Sequence, residues 1–331
     1  MNVALIPFDT AAPSDGSGVR RALRRLPLRD VLQLAVVAKV EGTATLNDVS
    51  RELASERIGA ELQRAGSPAL RRRSLQILSV GCEGITTPGG WLIASLKAPA
   101  GRGFGLALGH ARSAPVAMHD RATRKHIGSA ATAVRAAMRR AGLDRKAVEL
   151  VLIKSPIRLA GGGPHVGSTA ASRGAAALGA ALALGDIYES DLRDGSLCTD
   201  WRLHGFRAMA FSGTETDCCE ALVMGNRRGG DPLLRVERAV LSDILDAAPL
   251  AALAAGAKAI FFKAGIGRSG AVRGARTTVL TSELPPDKQL RAAASGVVGA
   301  ILGTTRAFIS GGAEHQAPPG ACLAAVIRAA D

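Results

Sequence analysis

One arrangement recurs about every 110 residues along this 331-residue chain and limits the folds open to it. An apolar run ends in lysine, an arginine follows, and a second apolar run ends in serine and a glycine-bearing turn. The first runs reach Lys39 (LQLAVVAK), Lys154 (VELVLIK) and Lys263 (AKAIFFK); the second deliver Ser79 (SLQILS), Ser212 (FRAMAFS) and Ser310 (AFIS). Between them stand Arg51, Arg173 and Arg276, so the order is Lys, Arg, Ser each time. Short apolar runs bounded by turn residues predict strands, while NDVSRELASERIGAELQRAG, SRGAAALGAALALGD and DKQLRAAASGVVGAILGTT predict helices. A further strand-like run closes each unit: GFGLALGHAR, EALVMGN and CLAAVIRAA. The expectation is an α/β chain of three similar units, residues 1–116, 117–231 and 232–331, each a mixed sheet with helices. If the three meet around one axis, Lys39, Lys154 and Lys263 converge there.

Those residue types carry a definite chemistry. A serine hydroxyl is a poor nucleophile until a base takes its proton, and a lysine can do so only as the neutral amine. Three lysines converging in a poorly solvated centre would repel one another and lose protons there. Glycines after the serines permit turns whose free N–H groups stabilise an oxyanion, and arginines present planar forks to carbonyl oxygens. Such a threefold set suits a small planar ring of alternating C=O and N–H, a cyclic imide or ureide.

Other functions fit less well. A formal charge of +14, with RRALRR at Arg20–Arg25 and RRR at Arg71–Arg73, raises a nucleic-acid partner. Aromatics are only 3% of the chain and no helix-turn-helix, zinc-finger or RNA-recognition signature is present, so these clusters read as solvated faces. GIGRSG (Gly265–Gly270) fits GxGxxG after a strand, but no helix pattern follows and no acidic residue lies at the ribose offset, which argues against a dinucleotide site. Five cysteines without CxxC spacing read as reduced thiols, and the adjacent Glu314 and His315 are a weak metal signal. With neither a bilayer-length apolar run nor a secretory signal, the expected location is the cytoplasm.

KVEG with NDVSRE (Lys39–Glu52), SRGAAALG (Ser172–Gly179), VRGAR (Val272–Arg276) and above all SGGAEHQAPPG (Ser310–Gly320) resemble the cyanuric acid hydrolases and barbiturases, which open cyclic amides. The resemblance implies three α/β units around a pseudo-threefold axis, with a barrel-like β core and one central site of three Lys–Ser pairs, a homotetramer, and no organic cofactor. It implies Lys154 as base and Ser212 as nucleophile. Arg51, Ser79, Val80, Arg173, Gly213, Arg276, Ser310 and Gly311 would hold the ring, with Lys39 and Lys263 beside it. The substrate class is then a small cyclic amide, with cyanuric and barbituric acid as family candidates; the alternative is a catalytically silent ring- or anion-binding protein of the same fold.

Two departures accompany the resemblance. Ser79 and Ser310 precede the glycine of a GxE pattern by two residues (SVGCE, SGGAE), whereas Ser212 precedes it by one (SGTE). Aligning AFS with ILS and FIS keeps Ser212 as the nucleophile and shortens the turn; aligning on GxE puts Phe211 there. The first alignment is preferred because a slip within a strand would reverse every side chain's face. The family also holds a structural divalent metal through a glutamate two positions after the third lysine, where this chain has Gly265. Ala313, Gln316, Ala317 and Pro318 remain as metal-loop candidates, and a metal is less expected.

Overall fold

The structure, a computed structural model, describes residues 1–98, 103–162 and 164–330. Its elements repeat as strand–helix–strand–helix–strand–strand. The first unit holds β1 (Asn2–Asp9), α1 (Ser17–Leu23), β2 (Val31–Val40), α2 (Ser50–Arg72), β3 (Ser74–Val80) and β4 (Gly89–Leu96). The second holds β5 (Phe104–Pro115), α3 (Arg124–Ala141), β6 (Val148–Pro156), α4 (Thr169–Leu184), β7 (Ala208–Gly213) and β8 (Cys218–Arg228). The third holds β9 (Leu234–Leu241), α5 (Ala247–Ala254), β10 (Ala257–Ala264), the small hairpin β11 (Ala271–Val272) and β12 (Ala275–Arg276), α6 (Pro286–Leu302), β13 (Phe308–Gly311) and β14 (Cys322–Ala329).

The three sheets share one topology. Their orders are β1-β4-β2-β3, β5-β8-β6-β7 and β9-β14-β10-β13, and in each the lysine strand and the serine strand are the parallel pair. One expectation is corrected here. GFGLALGHAR does not close the first unit: it forms β5, pairs antiparallel with β8 from Phe104↔Arg228 onward, and opens the second sheet. The slot it was expected to fill is taken by GGWLIASL, β4, which lies between β1 and β2. The first sheet therefore ends at Leu96, not near residue 116.

Strand alternation divides each sheet between two cores. One face of every sheet enters a shared central cluster, to which Val37, Ile77 and Trp91, then Leu152, Met209 and Leu222, then Phe261, Phe308 and Leu323 contribute in turn. The opposite faces pack against α1 and α2, α3 and α4, and α5 and α6 in three peripheral clusters. Being buried on both sides, the strands read as continuous apolar runs. In α4, capped by Ser168 at its start and by Gly185 in the left-handed region at its end, the run of alanines and glycines brings the backbone close to α3, where a side chain at Gly179 would overlap Ile127 O. Among the described residues no helix is long and apolar enough to cross a membrane.

Candidate active site

The central faces of β2, β6 and β10 each end in lysine, two residues beyond Val37, Leu152 and Phe261. Lys39, Lys154 and Lys263 are at most 2% exposed. Burial, which disfavours the ammonium form, pushes all three amines down. Lys154 falls only to about 8, because Glu215 lies 2.6 Å from its Nζ and opposes the shift. Lys39 and Lys263 fall further, first through burial and then through the positive charges of Arg291 and Arg173 respectively.

Around the lysines runs a cycle of ion pairs in which the arginine of each unit's second helix reaches into the following unit. Arg51 on α2 donates to Ser212 O at 2.6 Å and lies 3.8 Å from Glu215. Arg173 on α4 grips Glu314 with both arms of its fork, at 2.8 and 2.7 Å, and holds that carboxyl below its ordinary range against burial, which pushes it up. Arg291 on α6 donates to Val80 O at 3.0 Å and to Glu83 at 2.6 Å, returning from the third unit to the first. Gly81, Gly213 and Gly312 lie beneath these pairs: a Cβ at any of them would collide with Arg291, Glu215 or Arg173. That is why a glycine stands two residues before each glutamate.

Arg291 takes the place expected for Arg276, which lies exposed on the β11–β12 hairpin away from the centre. The sequence signal for Arg291 is a helical R-x-x-A-[AS] pattern shared by Arg51–Ser55, Arg173–Ala177 and Arg291–Ser295. Glu83, Glu215 and Glu314 were visible as GxE, but only the fold pairs them with arginines.

The register settles the alignment of the serines, and against Ser212. Lys39 pairs with Ser79 and Lys263 with Ser310, but Lys154 pairs with Phe211, leaving Ser212 opposite Ser155. Residues opposite one another in neighbouring strands share a face, so Ser79, Phe211 and Ser310 face the centre. The cores agree, since Met209 and Phe211 belong to the central cluster and Ala208 and Ala210 to the peripheral one. So do the hydrogen bonds. Lys154 donates to Leu78 O, just before Ser79, and Lys263 to Ala210 O, just before Phe211, each at 2.8 Å. Lys154 meets Ser212 at its carbonyl, 2.9 Å away, and not at its hydroxyl. The Lys–Ser pair that does form a side-chain hydrogen bond is Lys263 Nζ to Ser310 Oγ, at 3.1 Å. The same Nζ lies 4.8 Å from the centre of the Phe211 ring.

These groups enclose a cavity of about 50 Å³ lined by Arg51, Ser79, Val80, Arg173, Phe211, Ser212, Arg291, Ser310 and Gly311, among others, which is room for one small ring at most. Three buried donors, Lys39 Nζ, Arg51 Nε and Arg291 Nε, make no hydrogen bond, although Arg51 Nε lies within ion-pair distance of Glu215. A ligand rich in acceptor oxygens matches that deficit.

The C-terminal loop offers a divalent ion no free carboxylate. Hard cations take several oxygens including carboxylates, yet Gly265, Ala313, Ala317 and Pro318 bring no side-chain oxygen. Gln316 is fully buried with its Oε1 accepting from Ala210 N at 2.7 Å. A Cβ at 265 would strike Ala321 O, so the fold has closed over the position of a ligand there. Glu314 is committed to Arg173, and His315 is bonded to Cys198 N and Leu203 O. Among the described residues no three His, Cys, Asp or Glu side chains gather at one point.

A family model described as an amidohydrolase ring-opening protein matches residues 4–329. A cyanuric acid amidohydrolase of Methylobacterium sp. (strain 4-46) is 36% identical, with 98% of this chain and 96% of that protein covered; another from Azorhizobium caulinodans is 34% identical, with 97% and 96% covered. The crystal structure of cyanuric acid hydrolase from A. caulinodans superposes with a TM-score of 0.91 at 31% identity, over 99% of both chains. A second solved cyanuric acid hydrolase, described as an innovation by structural concatenation, superposes with a TM-score of 0.90 at 28% identity over the same share.

Proposed function

The chain belongs to the family of ring-opening amidohydrolases, hydrolases acting on the C–N bonds of cyclic amides, and from that premise we propose that it opens a small cyclic imide or ureide with Ser310 as nucleophile and Lys263 as base. The hydrogen bond between Lys263 Nζ and Ser310 Oγ carries this reading. Burial pushes the Lys263 amine well down, toward the neutral form whose lone pair accepts the Ser310 proton. The Ser310 oxygen attacks a ring carbonyl carbon, and the tetrahedral intermediate collapses by breaking the ring C–N bond. Lys263 returns the proton to the departing nitrogen, leaving an acyclic ester on Ser310. A water molecule, giving its proton to Lys263, then cleaves that ester and restores the serine. Arg51, Arg173 and Arg291 address the remaining carbonyl oxygens, and the donors of Lys39, Arg51 and Arg291 that make no hydrogen bond supply part of that binding. No step runs through a metal.

The test is a serine series assayed for ring-opened product from cyanuric acid, barbituric acid and simple cyclic imides. Ser310→Ala is expected to lose at least about a thousandfold in kcat, the scale on which nucleophile removal acts. Ser212→Ala and Ser79→Ala are expected to keep chemistry and change KM. Activity that survives Ser310→Ala and disappears in Ser79→Ala moves the nucleophile to the first unit. The aromatic ring of Phe211 opposite Lys154 favours a second reading, a binding protein without turnover; ring binding with no product in the wild type would establish it. A homotetramer, proposed from the family resemblance, is checked by light scattering.

A further inference from the structure

We propose that the ring handled here carries an apolar substituent, held in a subsite beside the central cavity; this rests on the hydrolase reading for the ring but has its own observation. A cavity of about 360 Å³, within the range of small-molecule sites, adjoins the central one and shares Thr169, Arg173 and Asp287 with it. Its far walls are apolar, from Trp201, Ile266 and Leu280. Gly311 lines the small cavity and Gly312 the large one, so the chain passes from one to the other directly after Ser310. A ring seated against Ser310 would therefore extend a substituent past Arg173 into the larger space. The large cavity also takes in Gly265 and the loop of Ala313, Ala317 and Pro318. Arg268, Asp287 and Glu314 add charge to the lining, and hydrocarbon would pack against the uncharged loop residues together with Trp201, Ile266 and Leu280. The chemical class is a cyclic imide or ureide bearing one aromatic or branched aliphatic group.

The test compares barbituric acid with 5-benzylbarbituric acid on wild type and on Ala170→Trp, which adds bulk at the large cavity's wall without touching Lys263 or Ser310. The wild type should favour the benzyl compound by about tenfold or more in kcat/KM, through KM, since even one methylene in an apolar pocket is worth that much. Ala170→Trp should remove the preference and leave turnover of the bare ring unchanged. Should that variant fail to fold, Ile266→Trp adds bulk at another lining position for the same readout. Equal or better turnover of the bare ring by wild type, or a preference that survives both fillings, overturns the subsite. If neither ring is opened, tryptophan fluorescence titration decides. Tighter binding of the benzyl compound, abolished by Ala170→Trp, supports the subsite while the hydrolase reading falls. Equal binding of both overturns the subsite as well.

Discussion

Replacing Phe211 by alanine tests two roles of one side chain. The ring is 3% exposed, packs on Phe308 with centroids 5.1 Å apart, and lies beneath Lys263 Nζ at 4.8 Å. As core, its loss should cost about 3–5 kcal/mol. Unfolding entropy of about 2.1 cal/mol/K per residue, over 331 residues, makes that a fall in Tm of about 4–7 °C if the chain melts as one unit. As a lid on Lys263, its loss admits water beside an amine whose depression comes first from burial, so the amine regains affinity for its proton. Losing the cation–π contact works the other way, by about 0.5–2 kcal/mol or roughly one pKa unit, whereas full burial is worth up to about 3–5 units. Resolvation wins, and the acid limb of kcat/KM should move to higher pH. Thermal melting and a pH–rate profile on the same preparation measure both. A Tm within a degree of wild type would show that Phe211 is not packed as described. A limb that stays put or moves to lower pH would refute Lys263 as the base.

Other perturbations separate the remaining groups. Lys154 has a folded pKa of about 8 against 10.5, so between those values the unfolded chain binds more protons and stability rises with pH. Lys154→Met should remove about 2 kcal/mol of that rise, read as the difference between wild-type and variant urea curves at pH 8 and pH 10; buried thiols such as Cys198 and Cys322, pushed up to about 12 and 11, act oppositely but cancel in the difference. Arg291→Ala leaves Glu83 buried without its closest cation and should cost about 3–5 kcal/mol by chemical denaturation, whereas exposed Arg276→Ala should stay within about 0.5 kcal/mol and retain activity. Incubation with EDTA should leave the Tm unchanged; a fall reversed by magnesium would show that carbonyls of the C-terminal loop suffice for a metal.

Much of the fold is legible in local pattern because its strands are buried on both faces and announce themselves as apolar runs. VELVLIK lies wholly within β6, which continues two residues past Lys154, and the stretches predicted as helices around Arg51 and Arg173 fall largely within α2 and α4, although α2 runs on to Arg72. The error over β5 has a physical cause. GGWLIASL and GFGLALGHAR are neighbouring apolar runs of similar length, and nothing local tells which of two sheets each will join. That choice is made by pairing with β8, more than a hundred residues onward. Arg276 misled in the same way: VRGAR carries a local likeness, but burial of an arginine depends on which helix docks against the centre, and α6 brings Arg291.

The serine question turned on which of two constraints a chain gives up when they conflict. Keeping Ser212 opposite Lys154 required the following turn to lose a residue, on the reasoning that turns change length more readily than strands change face. Here the turn is the stiffer element. Ser79 to Glu83, Phe211 to Glu215 and Ser310 to Glu314 are the same four-residue step, and each glutamate meets an arginine delivered from the preceding unit's helix across a glycine too crowded for a side chain. Shortening one turn would withdraw a buried carboxylate from its cation, a loss of about 3–5 kcal/mol. Exchanging serine for phenylalanine on an unshifted strand breaks no ion pair and adds apolar surface to the central core. The ion-pair cycle therefore holds the backbone of all three units alike, and the side chain facing each lysine is free to vary. In the second unit it is phenylalanine, which leaves Lys263–Ser310 of the third, among the described residues, as the pair whose amine and hydroxyl are hydrogen-bonded.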